Sequence, residues 1–298
     1  MINYVQPGND PVGQEEYWIN PIGGLGDTLM LSGVLKQHID LHPERQFNLV
    51  RRKGYLSLLK GHPAIKQIGH PPADARLLRT DYWAAEPLGA NAQRAYQVLA
   101  RAFGLPTPVP ESLFVPGAEE LDPFIEQTIP WRKKNLVFAP FSESVRKSMH
   151  PSFWSEIIRM LAGEDEDLLI LQVGRVHELH IKNTYSLLGV TSPKQLIALL
   201  SKCNVVLTAD NFIMHAAHLT GTPAVVLWGP TPREVYGYDE HIHIQAPLDH
   251  CPHKNECIGT RHPENYARPC PLHEDQCMNK IPAGDVCKSI KNILTGSE

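Results

Sequence analysis

Apolar runs of strand length alternate with amphipathic stretches of helix length along most of the chain. The clearest runs are Asn204-Val205-Val206-Leu207 and Pro223-Ala224-Val225-Val226-Leu227-Trp228. Neither alternates polar with apolar positions, so both read as strands covered on both faces, as in a parallel sheet. Between them Met214-His215-Ala216-Ala217 continues as helix. Shorter strand signals come earlier, at Tyr17–Asn20, Phe47–Val50, Ala64–Ile68, Ala75–Leu78, Asn135–Ala139 and Asp167–Val173. Helical spacing covers Leu29, Met30, Val34 and Leu35, then Ala92–Phe103 with Tyr96, Val98, Leu99 and Phe103 on its apolar side. It returns in Pro151–Leu161, opened by proline, in Ser192–Ser201 with Leu196, Leu199 and Leu200 on one side, and in Asp285–Leu294. Strands and helices in alternation predict an α/β protein. The proline-rich Leu105–Pro116 reads as a connector. The domain boundary is expected just before Asn135, giving domains 1–134 and 135–298, with a loop-like, Cys-rich segment over 250–287.

With 298 residues the chain is long enough for two α/β domains, each with its own core. The composition, 42% hydrophobic and 20% charged with a net charge of −4, offers nothing to attract nucleic acid. Met1–Glu16 is polar and contains several acids, which is not the pattern of a signal peptide. No apolar run approaches the roughly 20 residues that span a bilayer. A cytoplasmic protein is therefore expected, with peripheral contact at the inner membrane compatible with the sequence.

Pro21-Ile22-Gly23-Gly24-Leu25-Gly26-Asp27 joins the first strand signal to the first helix signal. Strand, glycine turn and helix open a nucleotide-binding type of α/β unit. The full dinucleotide spacing is missing, and Arg51-Arg52-Lys53 follows the next strand where an acidic residue would hold a ribose, so an NAD site is disfavoured. Asp27 stands at a helix start, where a carboxylate satisfies orphan N–H groups. That position weakens it as a base unless burial offsets the effect.

In Thr208-Ala209-Asp210-Asn211-Phe212-Ile213-Met214-His215-Ala216-Ala217 a strand ends, the chain turns and a helix begins. Asp210 and Asn211 are both helix-capping types. Free N–H groups and the helix dipole at that start suit a phosphate or pyrophosphate. After the strand at 135–139, Ser142 and Ser144 supply hydroxyls and Arg146 and Lys147 supply cations. The plain account is an exposed turn with solvated charges. The chemical account is a diphosphate clamp, since a fixed cation stabilises a departing nucleoside diphosphate.

Asp210-(x)4-His215-Ala216-Ala217, Thr220-Gly221-Thr222-Pro223 and Trp228-Gly229-Pro230-Thr231 together resemble the C-terminal signature of glycosyltransferase family 9, the heptosyltransferase-like enzymes of GT-B fold. The Gly24-x-Gly26-Asp27 turn is also similar to that family, where it opens the acceptor-side domain. The resemblance covers about Ile19 to Val286. It implies two Rossmann-like domains facing a central cleft, with the donor nucleotide on the C-terminal one. A terminal helix is expected to return to the N-terminal domain. The implied reaction is an inverting transfer of a sugar, heptose by preference, from a nucleotide-diphosphate donor, ADP-heptose by preference, to an acceptor hydroxyl. The acceptor would be a lipopolysaccharide or other lipid-linked glycan, another glycan, or a protein. By resemblance Asp27 is the base that takes the acceptor's proton, and Lys147, or Arg146 if the alignment slips, faces the diphosphate. Glu178 faces the nucleoside, Asp210 a sugar hydroxyl and His215 the phosphates, where a positive or donating imidazole suits the leaving group. Asn211 and Phe212 contribute backbone N–H groups, and Thr231 completes the donor set. Asn211 and Phe212 replace the family's Ser or Thr and Gly, which keeps a different nucleotide sugar open as an alternative. A non-catalytic sugar-nucleotide or metal-binding module is a further alternative.

Five of the six cysteines fall between Cys251 and Cys287, with His250, His253, His262 and His273 interleaved. Without a secretion signal such clustering favours metal or plain thiols over disulfides. The pairs Cys251-x5-Cys257 and Cys270-x6-Cys277 are spaced more widely than most tetrahedral thiolate sites. Cys251, Cys257, Cys270 and Cys277 are the first choice for a structural zinc or iron. Iron-containing relatives are known in the family, and no cofactor is expected to be required for transfer.

Overall fold

A computed structural model describes residues 3–5, 17–51, 56–82, 93–118, 122–163, 165–249, 251–254, 257 and 268–296. His250, His262 and Ala92 lie outside them. The chain divides into two compact units, Met1–Ala118 and Glu119–Glu298.

The first unit holds a five-stranded sheet of β1 (Asn3–Val5), β2 (Tyr17–Asn20), β3 (Phe47–Val50), β4 (Ile65–Gly69) and β5 (Arg76–Arg79). The strands stand in the order β1-β5-β2-β3-β4, and every pairing is parallel. From β2 the chain builds outward through β3 and β4, then returns to the other side of β2 with β5. The strand order therefore reverses between β2 and β5. Helix α1 (Leu25–Leu41) follows β2 and buries Leu29, Met30, Leu31, Val34 and Leu35. A Cβ on Gly33 would run into the Ser112 carbonyl, so this glycine lets α1 meet neighbouring backbone directly. Helix α2 (Ala95–Ala102) buries Tyr96, Val98 and Leu99, three of the four residues expected on its apolar side, and packs on α1.

The second unit holds β6 (Lys134–Ala139), β7 (Leu168–Gln172), β8 (Tyr185–Ser186), β9 (Val205–Ala209), β10 (Ala224–Trp228) and β11 (Ile242–Gln245). Its order is β11-β10-β9-β6-β7-β8, again parallel throughout, with the reversal between β6 and β9. Every residue of β9 and β10 is buried, as their unbroken apolar runs imply. Each large apolar side chain so covered contributes about 1.5–3 kcal/mol, which commits this pair of strands to the interior.

The helices of this unit are α3 (Pro123–Thr128), α4 (Pro151–Ala162), α5 (Pro193–Leu200), α6 (Phe212–Thr220), α7 (Arg233–Tyr236) and α8 (Ala283–Thr295). Helix α4 buries Trp154, Ile157, Ile158 and Leu161, one helical stripe. Helix α5 starts in a capping box formed by Ser192 and Gln195. Helix α6 ends at Gly221, whose φ of 67° is the left-handed cap that glycine adopts without strain.

Two expectations shift. The boundary falls at Ala118/Glu119, ahead of the expected 134/135. Helix α3 belongs with the second unit because it packs on α5, and its Glu126 pairs with Lys202 at 2.9 Å. The terminal helix α8 also belongs to the second unit. It packs on α4, β9 and β10, with Val286, Cys287 and Ile290 buried, rather than being grouped with the first. Among the described residues no helix is long and apolar enough to cross a membrane.

Candidate active site

In parallel α/β sheets of this kind ligands collect outside the carboxyl ends of the strands, where the strand order reverses. Each unit has one such point, and each carries a carboxylate there.

In the first unit the loop after β2 turns at Gly23, with φ of 109°. A Cβ at that position would collide with the Asp27 carboxylate, so the glycine makes room for the acid. The N-cap of α1 is Gly24, and Asp27, three residues in, reaches back to the Gly24 backbone. The Gly24 N–H donates to Asp27 Oδ2 at 2.7 Å, and the Tyr82 hydroxyl donates to Oδ1 at 2.7 Å. Thr80 Oγ1, at the end of β5, accepts from the Ile22 N–H at 2.7 Å and ties the loop to the neighbouring strand. Asp27 thus caps the helix at the reversal point and accepts from both the Gly24 N–H and the Tyr82 hydroxyl. Gly26 lies inside the first turn of α1. Tyr82 was not foreseen, because its partner lies 55 positions away and only the adjacency of β2 and β5 brings them together.

In the second unit β6 leads into the short 3-10 turn Val145–Lys147. Lys147 Nζ stands 2.8 Å from Asp210 Oδ2, and the Thr231 hydroxyl donates to the same oxygen at 2.6 Å. The ends of β6, β9 and β10 therefore converge on one buried carboxylate. Burial by itself would raise the pKa of Asp210, but the charge and hydrogen bond of Lys147 and the hydroxyl of Thr231 outweigh it and hold the pKa below the usual value. Asn211 is the N-cap of α6, and its Oδ1 accepts from Ile213 N–H at 2.8 Å and from the Thr208 hydroxyl at 3.0 Å. Its Nδ2 donates to the Ala139 and Phe141 carbonyls at 3.3 and 3.0 Å, joining the ends of β6 and β9. Phe212 opens α6 and is half-buried.

The other residues expected around the donor have the following surroundings. Arg146 does not face the Lys147–Asp210 pair. Its Nε and Nη2 donate to the Arg268 and Pro269 carbonyls at 2.9 and 3.2 Å, and its Nη1 to Cys257 Sγ at 3.5 Å. Ser144 is fully buried at the start of the 3-10 turn, so its hydroxyl is enclosed by protein. Ser142 stays half-buried, and its N–H donates to Ser148 Oγ at 3.0 Å, closing the 142–148 turn. Of the two forms expected for His215, positive or donating, the neutral ring fits its surroundings. Burial drives its pKa down to about 4, overriding the attraction of Asp210, and its Nδ1 sits 2.7 Å from the Tyr238 hydroxyl. Lys147 and Thr231 both engage Oδ2 of Asp210, the residue expected at a sugar hydroxyl. Glu178 follows β7 and folds back over Gly174, where a Cβ would strike its carboxylate. Partial burial raises its pKa despite the opposing influence of Arg175 and His177.

The thiols of Cys251, Cys257, Cys270 and Cys277 influence one another electrostatically. Burial first, then the other three, push Cys277 up to about 11. Cys257 is also raised by burial, against the pull of Arg146. A set of four thiols suits zinc or iron chemically. Among the described residues, however, no three Cys, His, Asp or Glu side chains stand in an arrangement that could hold a metal ion, so the expected ligand set is not assembled here.

Two parallel α/β sheets, each with a carboxylate where its strand order reverses, describe a protein of the GT-B class, and solved structures agree. The iron-containing dodecameric glycosyltransferase TibC of enterotoxigenic Escherichia coli H10407, also solved with ADP-D-β-D-heptose, aligns at a TM-score of 0.68 and 15% identity, over 99% of this chain and 78% of that one. E. coli ADP-heptose lipopolysaccharide heptosyltransferase II aligns at 0.66 and 14% identity, over 95% and 99% of the two chains. The lipopolysaccharide core heptosyltransferase OpsX of Haemophilus influenzae is 24% identical over 152 residues, which are 48% of this chain and 44% of the relative. The chain thus matches less than half the length of that curated relative. Residues 75–257, more than half of the chain, match glycosyltransferase family 9 (heptosyltransferase). The chain belongs to that family of glycosyltransferases.

Proposed function

We propose that the chain moves a sugar, heptose by preference, from a nucleotide-diphosphate donor, ADP-heptose by preference, to an acceptor hydroxyl with inversion at the anomeric carbon. The observation that carries this reading is the Lys147–Asp210–Thr231 cluster beside the start of α6, at the reversal point of the second sheet. Asp210 orients the Lys147 ammonium, which would meet the diphosphate as the sugar–oxygen bond breaks and negative charge gathers on the leaving group. Backbone N–H groups at the start of α6 add to that stabilisation.

On the acceptor, Asp27 takes the hydroxyl proton as the oxygen attacks the anomeric carbon from the face opposite the diphosphate. The Gly24 N–H and the Tyr82 hydroxyl aim the carboxylate. The relative OpsX, named for the lipopolysaccharide core, supports a lipopolysaccharide acceptor over another glycan or a protein. We place the reaction in the cytoplasm, with peripheral contact at the inner membrane.

Calorimetry with ADP, GDP and UDP tests the donor: ADP should bind most tightly, and tighter binding of UDP or GDP would overturn the preference for ADP-heptose. A second reading concerns Cys251, Cys257, Cys270 and Cys277: four thiols have the chemistry of a structural zinc or iron site, and an ion would have to draw them together from where they stand here. Elemental analysis of the purified chain should find about one metal per chain, set by four thiol ligands, and a content near zero removes the site.

A further inference from the structure

Lys147 and its neighbour Arg146 sit on one 3-10 turn and do different things. Lys147 pairs with Asp210. Arg146 is buried, and its guanidinium is spent on two carbonyls and a thiol of the Cys-rich segment. That segment holds the same stretch elsewhere too. Gln276 Nε2 donates to the Ser148 carbonyl at 2.8 Å, and Asn279 Oδ1 accepts from the His150 N–H at 2.8 Å. Met278, fully buried, lies so close to Gly229 that a Cβ there would meet its Sδ at 2.7 Å and the Arg146 carbonyl at 3.4 Å. Gly229 begins the loop that delivers Thr231 to Asp210. The residues flanking Lys147 and the loop carrying Thr231 are therefore both gripped by the Cys-rich segment.

We propose that Arg146 is a positioning residue for donor binding: it fastens the Cys-rich segment to the turn that carries Lys147, so that this segment sets where the Lys147 ammonium stands. The physical reason is geometric. A 3-10 turn of three residues has too few bonds of its own to fix a long side chain, whereas a planar guanidinium shared among three acceptors fixes the turn's orientation. The inference rests on the reading that Lys147 meets the donor's diphosphate.

The test is a double-mutant cycle on the full-length chain, read by ADP calorimetry, with Arg146→Lys and Lys147→Ala made singly and together. Arg146→Lys keeps the positive charge and loses the fork, so any loss reports position rather than long-range attraction. Misplacing the ammonium by about an ångström should weaken ADP binding about tenfold or more. In the Lys147→Ala background the same change should cost less than about twofold, because coupled residues are not additive. Equal losses in both backgrounds, or no loss from Arg146→Lys while Lys147→Ala weakens ADP, would overturn the proposal. If Lys147→Ala itself leaves ADP affinity unchanged, the donor-site reading fails and this inference with it. Should Arg146→Lys not fold, Asn279→Ala removes a different tie to the same stretch and is expected to show the same dependence on Lys147, with additive losses again overturning the proposal.

Discussion

The two reversal points solve the same problem in different ways. In the first sheet the Asp27 carboxylate is held by the Gly24 N–H and the Tyr82 hydroxyl, both neutral donors. In the second, the Asp210 carboxylate is held by a cation and a hydroxyl and is buried. A neutral donor orients a carboxylate without itself adding a counter-charge. An ion pair makes the carboxylate an anchor, and the group it positions is the cation. The contrast matches the proposed division of labour, in which Asp27 handles the acceptor's proton and Lys147 the leaving group.

The largest effect should come from Asp27→Asn. Losing a general base lowers turnover by about 10²–10⁴-fold, and transfer measured with ADP-heptose should fall in that range while ADP affinity stays the same. A comparable loss of ADP affinity would erase the division of labour. Next is Lys147→Ala, which leaves Asp210 buried without its cation. Stability measured by urea unfolding should drop by about 3–5 kcal/mol, and Lys147→Ala/Asp210→Asn should recover much of it by removing the stranded charge.

A smaller effect should follow Tyr82→Phe. One hydrogen bond to a charged acceptor is removed, a difference of about 1.5–3 kcal/mol. Turnover should fall about tenfold or more while the donor's apparent affinity barely moves; an unchanged turnover would make Tyr82 a bystander to Asp27.

The pH dependence of stability sharpens the comparison further. Burial holds His38 and His62 in the first unit and His215 in the second near pKa 4 against an ordinary 6.5. His62 shows why: its Nδ1 accepts from the Ala64 N–H, a bond that a protonated ring cannot make, while Nε2 meets the Ser32 carbonyl. Above about pH 6.5 these rings are neutral folded or unfolded and add no pH dependence. Between about 6.5 and 4 the unfolded chain binds protons that the folded chain refuses, so stability should fall steadily as acid is added. Urea midpoints measured across that window check this; a flat profile would mean that the rings are not held neutral.

Much of the framework was legible from local pattern. The continuous apolar runs of β9 and β10 announced strands covered on both faces, and the proline-opened stretch Pro151–Leu161 announced α4. The glycine turn ahead of Asp27 and the capping residues ahead of α6 were also readable. The short strands β8 and β11 were not, since two or four exposed or half-buried residues carry little periodicity. Arg146 and Ser144 carried the right chemistry for a diphosphate, but nothing in their immediate neighbours shows that one would be spent on carbonyls 122 and 123 positions away and the other enclosed.

By itself the sequence determined what depends on neighbours within a few positions: strand and helix periods, helix caps, and the placing of Asp27 and Asp210 just beyond strand ends. Only the tertiary structure decided which side chains meet. Lys147 and Thr231 both reach Asp210 because β6, β9 and β10 lie side by side, and Tyr82 reaches Asp27 because β5 lies beside β2. A hydrogen bond or ion pair is made over about 3 Å whatever its separation along the chain, and the order of strands in a sheet, not their order in sequence, sets that distance.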